Sequence, residues 1–256
     1  ANSNVWGNSN SYGPPPTSAA NTASANYTAT SGAGNQSANP LFVDATTRNY
    51  RLTSYSPSRG AGAGGVDQGA LPYGADATTG LLGQVPASQT LSGANTLTGD
   101  LIVPVGVTLT VSPGATLTAA ATDALGNGAD PTKVEIIVYG TLTAIGTSGS
   151  PITMTSAGTG TAGWYGVRVM PGGTATLSNA AMNEMAGGVE ATVGGSGTTT
   201  TLTLSNSSLL GSTYGVRTLS GGSGGTGNFN VTNVTLSGTA GGIAHAAGSL
   251  TVTTST

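Results

Sequence analysis

The side chains in this sequence that could take part in chemistry are few and scattered. The 256 residues include one His, no Cys, nine Asp or Glu and six Lys or Arg. His245 has no second His for a two-His metal site, and no Ser or Asp partner can be read beside it, so we interpret it as a structural residue near a turn. The sequence offers no grouping of acid, base and nucleophile, and we predict that the protein is not an enzyme.

The segment DALGNGADP, residues 123–131, is the best candidate for a metal site. Asp123, Asn127 and Asp130 would place three oxygen ligands on one Gly-rich loop, and Ca²⁺ favours such ligands. The spacing does not match an EF-hand loop, and a simple turn is the alternative. We therefore expect no cofactor other than a structural Ca²⁺.

The composition argues against several classes of partner. Charged residues make up 6% of the chain, where about 25% is usual, and the basic residues form no patch that would attract nucleic acid. No apolar run approaches the roughly 20 residues of a membrane-spanning helix. The 43 Gly residues are interleaved with short regular runs of Val, Ile, Leu and Thr, which favours a repetitive β protein over disorder.

Three segments repeat at a step of 27 residues: LSNAAMNEMAGGVEA, LSNSSLLGSTYGVRT and VTNVTLSGTAGGIAH. They begin at Leu177, Leu204 and Val231. Each contains an Asn at the same position, giving a column of Asn179, Asn206 and Asn233. We expect this column at a tight turn, because Asn tolerates a left-handed backbone, with side-chain amides that bond along the stack.

Alternating apolar and polar residues in runs such as TLTV, ATLTA and ITMTS indicate short strands with one buried face. The distance from Val111 to Val138 is again 27 residues, which extends the repeat backwards. The fold class predicted is all-β, a right-handed parallel β-helix (β-solenoid) with coils of about 27 residues. A β-sandwich is the alternative. The predicted core ladder contains Val111, Val138, Val169, Leu177, Leu204, Val231 and, in the last coil, Val252.

Longer segments add a resemblance to a known family. LTGDLIVPVGVTLTVSPGATLTA, IIVYGTLTAIGTSGSPITMTSAG and GWYGVRV resemble the opening coils of right-handed parallel β-helix proteins of the pectate-lyase-like superfamily. NSNVWGNSNSYG, followed by NPLFVDATTRNYRL, resembles the closing section of bacterial surface proteins with that fold. The resemblance implies an extracellular or cell-surface location, but no activity, because the fold hosts lyases, adhesins and inert stalks.

The two resembling sections occur in reversed order. Residues 1–75 are predicted to be the closing section of one β-helix with a polar excursion, residues 76–88 a connector, and residues 89–256 the opening and middle coils of a second β-helix. Both extremities read as interrupted coils. We expect Val5, Trp6, Leu250 and Val252 to meet the ends of further copies of the chain, head to tail, because an open coil leaves backbone groups and apolar surface unpaired.

These observations predict a structural subunit of an extracellular filament, stalk or sheath. One alternative is an adhesin that binds surface glycans through aromatic residues such as Trp164 and Tyr165. A less favoured alternative is a polysaccharide lyase, which would need clustered carboxylates that we do not find. The Thr-x-Thr runs also suggest an ice-binding surface, but we expect them on different strands, interrupted by loops of unequal length.

Overall fold

The computed structural model describes residues 40–44, 49–69, 71, 73, 80–126, 128–158, 163–238 and 241–256. The chain divides into two compact units, Ala1–Thr78 and Thr79–Thr256. The division falls within the segment that we predict to be a connector. The predictions for Val5 and Trp6 lie outside the described residues. Among those residues, none of the helical segments has the length and apolar character of a membrane span.

The first unit contains a small antiparallel pair of strands. Strands β1 (Phe42–Asp44) and β2 (Asn49–Leu52) pair with each other, and a 3-10 helix follows at Ala63–Gly65. The Phe42 and Tyr50 rings meet edge to face with centroids 5.3 Å apart. Farther along, the Asp67 carboxylate accepts hydrogen bonds from the backbone N–H groups of Gly60 and Tyr73 and so closes a loop.

The second unit is built on one 17-stranded sheet whose strand pairings are parallel. Its strands are β3 (Leu81–Gln84), β4 (Gln89–Leu91), β5 (Ala94–Val103), β6 (Thr108–Val111), β7 (Thr116–Ala119), β8 (Glu135–Val138), β9 (Thr141–Ile145), β10 (Ile152–Ser156), β11 (Trp164–Val169), β12 (Thr174–Ser178), β13 (Ala180–Asn183), β14 (Met185–Val193), β15 (Thr199–Leu210), β16 (Val216–Ser220), β17 (Thr226–Ser237), β18 (Ile243–His245) and β19 (Ser249–Thr253).

The pairings arrange these strands in three ladders, which the chain visits in the same order. Ladder A runs through β3, the end of β5, β8, β11, β14, β16 and β18. Ladder B runs through β4, β6, β9, β12, the starts of β15 and β17, and β19. Ladder C runs through the start of β5, β7, β10, β13 and the ends of β15 and β17.

Strand alternation decides which side chains form the core. In β6, β9 and β12 the second and fourth residues are buried, while the Thr residues between them are only partly covered. The buried residues pair rung by rung, so that Leu177 lies between Ala144 and Leu204. β-branched and aliphatic residues suit this half-buried, pleated surface. The core of the second unit is therefore a stack of apolar side chains enclosed by the ladders.

The register differs from the predicted one at the start of the repeat. Val111 pairs with Leu91 and Ala144, whereas Val138 pairs with Val103 and Val169. The alignment of Val111 with Val138 is therefore wrong: Val111 belongs to ladder B and Val138 to ladder A. The reason is that residues 120–134 lengthen the connection between β7 and β8, so a count of 27 residues reaches the wrong ladder.

The 27-residue step holds where the connections are short. Leu177, Leu204 and Val231 pair in series, and the neighbouring hydroxyl-bonded Ser178 and Ser205 are likewise 27 positions apart. All six predicted core residues from Val111 to Val231 are at most 1% exposed, but they are shared between ladders A and B. Val252 pairs with Val231 and is 46% exposed, so it is not a core residue in this structure.

We predict that Leu204→Ala lowers the free energy of unfolding by about 2–5 kcal/mol, because it opens a cavity between fully buried neighbours. The matched control, Thr203→Ala, changes an outward residue of the same strand and should stay within about 0.5 kcal/mol. Denaturant unfolding followed by circular dichroism measures both. Equal losses for the two variants would contradict the inward and outward assignment.

Candidate functional site

The outward face of ladder A brings together four charged side chains from successive strands. Arg168 on β11 pairs in register with Glu190 on β14, and Glu190 pairs with Arg217 on β16. On the other side of β11, Glu135 of β8 pairs with Gly166. Positions next to one another in a parallel ladder are about 4.8 Å apart, which brings Arg168, Glu190 and Arg217 into contact. Glu135 reaches Arg168 diagonally, because the direct partner of Arg168 on β8 is Ile137.

Hydrogen bonds join the four side chains into one network. Arg168 donates from Nη1 to Glu135 Oε2 at 3.0 Å and from Nε to Glu190 Oε1 at 3.1 Å. Arg217 donates from Nε to Glu190 Oε2 at 3.1 Å, and its Nη2 also contacts that oxygen. The Tyr165 hydroxyl accepts a bond from Arg217 Nη2 at 3.1 Å and lies 3.4 Å from Glu190 Oε2.

The network is buried although every member is polar. The side chains of Glu135 and Glu190 are 0% and 1% exposed, and such carboxylates persist only when they are paired. Burial raises the pKa of Glu135 against the opposing effect of backbone N–H groups and Arg168. Burial, with the charge of Glu190, also raises the pKa of Tyr165, so its phenol stays protonated. Both oxygens of Glu190 are bound to Arg, which suits a structural tie rather than proton abstraction.

Sequence reasoning missed this network. The 27-residue repeat places Glu190 and Arg217 in one column, but the repeat alone does not reveal that they form an ion pair. It does not connect Arg168 to Glu190, because these residues are 22 positions apart rather than 27. The available signal was the opposite charge of residues at outward strand positions, which are otherwise occupied by small polar residues.

A pair of neighbouring carboxylates, Asp100 of β5 and Asp123, adjoins this network through the backbone of Glu135. Asp100 is fully buried; its Oδ1 accepts the Glu135 N–H at 2.7 Å, while its Oδ2 has no hydrogen-bond partner among the described residues. The Asp123 carboxylate accepts hydrogen bonds from the backbone N–H groups of Asp100, Leu125 and Gly126. Burial, reinforced by the Asp123 charge, raises the pKa of Asp100 to about 8, so this carboxyl is protonated at neutral pH.

The three residues of the predicted Ca²⁺ loop have separate roles where they are described. The Asp123 carboxylate accepts hydrogen bonds from the backbone of its own turn, at Leu125 and Gly126. Asp130 accepts bonds from the N–H and hydroxyl of Thr132 and lies 3.7 Å from Lys133 Nζ. Asn127 lies outside the described residues. Within the described part of the chain no three His, Cys, Asp or Glu residues are grouped to hold a metal ion, and the Ca²⁺ site stays a prediction.

The Asn column forms the corner between ladders B and C. Asn179, Asn206 and Asn233 have φ of 47°, 48° and 53°, the left-handed conformation that Asn adopts more readily than most residues. Asn233 donates from Nδ2 to Asn206 Oδ1 at 2.8 Å, whereas Asn179 donates instead to the Gly146 carbonyl at 3.2 Å. One side chain can therefore bond to the next along the stack while the backbone turns in a single residue.

A shallow open cleft of about 360 Å³ runs along this corner. The Asn column forms its floor, together with small residues such as Ser148, Pro151 and Ser208. It has neither an aromatic ring for a sugar to stack on nor a charged group to orient a ligand. The cleft gives no specific support to a glycan site.

Two other residues considered in the sequence analysis, Trp164 and His245, take part in hydrogen bonds within the second unit. Trp164 is 1% exposed and donates from Nε1 to the Asn183 carbonyl at 2.7 Å, so it is not a surface for stacking sugars. His245 is exposed, and its Nδ1 lies 2.8 Å from the hydroxyl of Thr218, which also accepts the Ala246 N–H. This pair ties β18 to β16 in ladder A.

The predicted assembly residues Leu250 and Val252 lie on β19, the last strand of ladder B. β19 pairs with β17 and with no other strand of the described residues. Phe229 and Val231 on β17 are at most 1% exposed, whereas Val252 directly above Val231 is 46% exposed. Val252 therefore presents exposed apolar surface on the last described strand of ladder B.

Comparison with known proteins finds no protein-family model, curated protein or solved structure that matches the chain. The proposals below therefore rest on the geometry and chemistry of this chain.

We predict that Glu190→Gln lowers the free energy of unfolding by about 3–5 kcal/mol, because it removes the charge that compensates two partly buried guanidinium groups. The control is Lys133→Gln, which breaks the exposed ion pair with Asp130 and should cost about 0–1 kcal/mol. Denaturant titration measures both. A loss for Glu190→Gln no larger than that of the control would contradict the assignment.

Asp100 should make stability depend on pH. Its pKa is about 3.9 in the unfolded chain and about 8 when folded, so its contribution is complete below the lower value and is lost as pH rises through the higher one. We predict that Asp100→Asn, which imitates the protonated group, flattens this decline and is more stable than the parent above the folded pKa. Urea unfolding of both proteins, at pH values between the unfolded and the folded pKa and above the latter, measures the difference in stability.

The control for the pH experiment is Asp130→Asn. The hydrogen bonds from Thr132 hold the pKa of Asp130 below its usual value, so this change should leave the decline at higher pH intact. A parent protein whose stability is unchanged across the window, or rises there, would show that Asp100 is ionised in the folded chain.

Proposed function

We propose that the second unit is a right-handed parallel β-helix and that the chain is a structural subunit of an extracellular filament, stalk or sheath. The repeated passage through ladders A, B and C supports a coiled path. Right-handedness follows from the strong preference of parallel strand connections for that hand. On this proposal the regular coil is the 27-residue step seen from Leu177 to Val231, and longer coils carry inserted connections.

The proposed role is mechanical. Adjacent strands share backbone hydrogen bonds, and the apolar stack runs through the interior, so the coils resist separation together. The buried tie between Glu135, Arg168, Glu190 and Arg217 clamps four successive strands of ladder A from outside. These features suit a rod that transmits load, and the described residues offer little that would suit turnover of a substrate.

The observation that carries the proposal is the edge formed by β19. In a parallel ladder each strand is a template for the next, and Val252 adds exposed apolar surface to the last described strand. At the opposite end of ladder B the first strand is β4, which pairs with β6. We propose that a second copy of the chain brings this opposite end to β19.

Contact between these two edges would be head to tail. The two ends of ladder B are different surfaces, so such a contact is heterologous and can be repeated from one copy to the next. Growth then gives a filament, whether the copies are separate subunits or tandem repeats of a longer chain. The absence of Cys and the low charge suit an extracellular setting, as does the resemblance to bacterial surface proteins.

An adhesin remains the alternative, but its main support has weakened. The aromatic side chain nominated for sugar stacking, Trp164, is buried, and the Tyr165 hydroxyl is bound into the charged network. No observation in the described residues favours glycan binding over assembly.

The test is assembly of the purified protein with increasing concentration, followed by light scattering and electron microscopy. We predict filaments for the parent and none for Val252→Asp, because a carboxylate at the edge would be buried without a partner. The control is Val105→Asp, which places the same charge on a residue that is 80% exposed in the turn between ladders A and B. A monomeric parent at all concentrations, or equal assembly of both variants, would refute the proposal.

A further inference from the structure

The outward face of ladder B carries Thr residues in two parallel rows. One row is Thr108, Thr141, Thr174 and Thr201. The other row is Thr110, Thr143, Thr176 and Thr203. In each row the residues are direct partners on consecutive strands. We call these eight side chains the threonine lattice.

The spacing of the lattice is fixed by the backbone. Neighbouring strands lie about 4.8 Å apart, and alternate residues along one strand are about 6.6 Å apart. Thr is branched at Cβ and has few side-chain rotamers, so equivalent neighbours can repeat one arrangement of methyl and hydroxyl groups. The result is a two-dimensional array of polar and apolar points rather than an irregular polar surface.

Uncharged residues continue the lattice at both ends and along one side. Thr90 lies next to Thr110 at one end, and Asn228 and Asn230 follow Thr201 and Thr203 at the other. A third row beside the lattice begins with the larger apolar residue Ile145 and continues with Ser178, Ser205 and Thr232. No charged side chain occupies these rows.

The connections at the two corners of ladder B have at most six residues. The turns into ladder C are residues 112–115 after β6 and 146–151 after β9, and they shorten to the single residues Asn179, Asn206 and Asn233 on the later strands. The two long connections, residues 120–134 and 157–163, instead join ladder C to ladder A. The expectation that the Thr-x-Thr runs lie on different strands applies to the runs in β7 and β10, which belong to ladder C, whereas the runs in β6, β9, β12 and β15 share ladder B.

The lattice is also held in place before any ligand arrives. Its described Thr side chains are partly covered by their neighbours on adjacent strands, while their inward neighbours are fully buried. Little side-chain entropy is therefore lost when a second surface comes to rest on it.

We propose that the threonine lattice is an ice-binding surface. An ice crystal face is flat, uncharged and periodic, and its oxygen atoms repeat at distances close to both spacings of the lattice. The hydroxyl groups can take positions in the water network, while the methyl groups lie in the spaces between waters. A protein partner would need aromatic or Arg anchors, and a sugar polymer would need stacking rings, neither of which lies on this face.

This inference depends on the pairing of ladder B and not on filament assembly, so the experiment can use the monomeric fraction. The parent should inhibit ice recrystallisation, and a fluorescently labelled sample should be taken up into a slowly growing ice crystal. Thr143→Tyr and Thr176→Tyr each place a ring in the middle of the lattice and should abolish both effects, because the ring holds the flat face away from the crystal.

The matched control is Thr153→Tyr, which places the same ring on a partly covered outward Thr of ladder C. It should behave like the parent. Circular dichroism and thermal unfolding of all variants establish that the fold is intact. A parent that is excluded from ice, a loss in the control equal to that in the lattice variants, or Thr143-dependent binding to an insoluble polysaccharide in place of ice would overturn the proposal.

Discussion

In-register pairing of parallel strands is the constraint on which the rest of this structure depends. Each residue of a ladder must accept the same backbone geometry and the same facing direction as the residues above and below it. This is why Ala144, Leu177, Leu204 and Val231 form one buried series, and why outward positions carry residues as similar as Thr and Ser. Low charge follows, because equal charges stacked at this distance would repel each other.

The same constraint explains the form of the charged network. Glu135, Arg168, Glu190 and Arg217 alternate in sign along ladder A, so the short distance that would penalise like charges stabilises unlike ones. Asp100 has no such opposite charge beside it: burial, reinforced by the carboxylate of Asp123 in the connection between β7 and β8, raises the pKa of Asp100. A buried acid next to another acid remains neutral, and in that form it costs the fold little.

The sequence allowed the strands, the all-β class and the inward residues to be predicted, because alternation is a local property. The turn at Asn179, Asn206 and Asn233 was also readable, since the side chain itself favours the left-handed backbone. The register between distant strands could not be predicted from the sequence. Val111 was assigned to the neighbours of Val138, and the partnership of Arg168 with Glu190 was overlooked, because both depend on how many residues each corner absorbs. The threonine lattice was undervalued for the same reason.

The two longest connections of the second unit, residues 120–134 and 157–163, both occur at the corner between ladders C and A. Additional residues at that corner lengthen one circuit without altering which side chains lie above one another in ladder B. The fold thus separates a place that tolerates insertions from a face that requires strict repetition. Foreign peptides could be displayed from that corner at regular intervals along the sheet while the opposite surface keeps its periodicity.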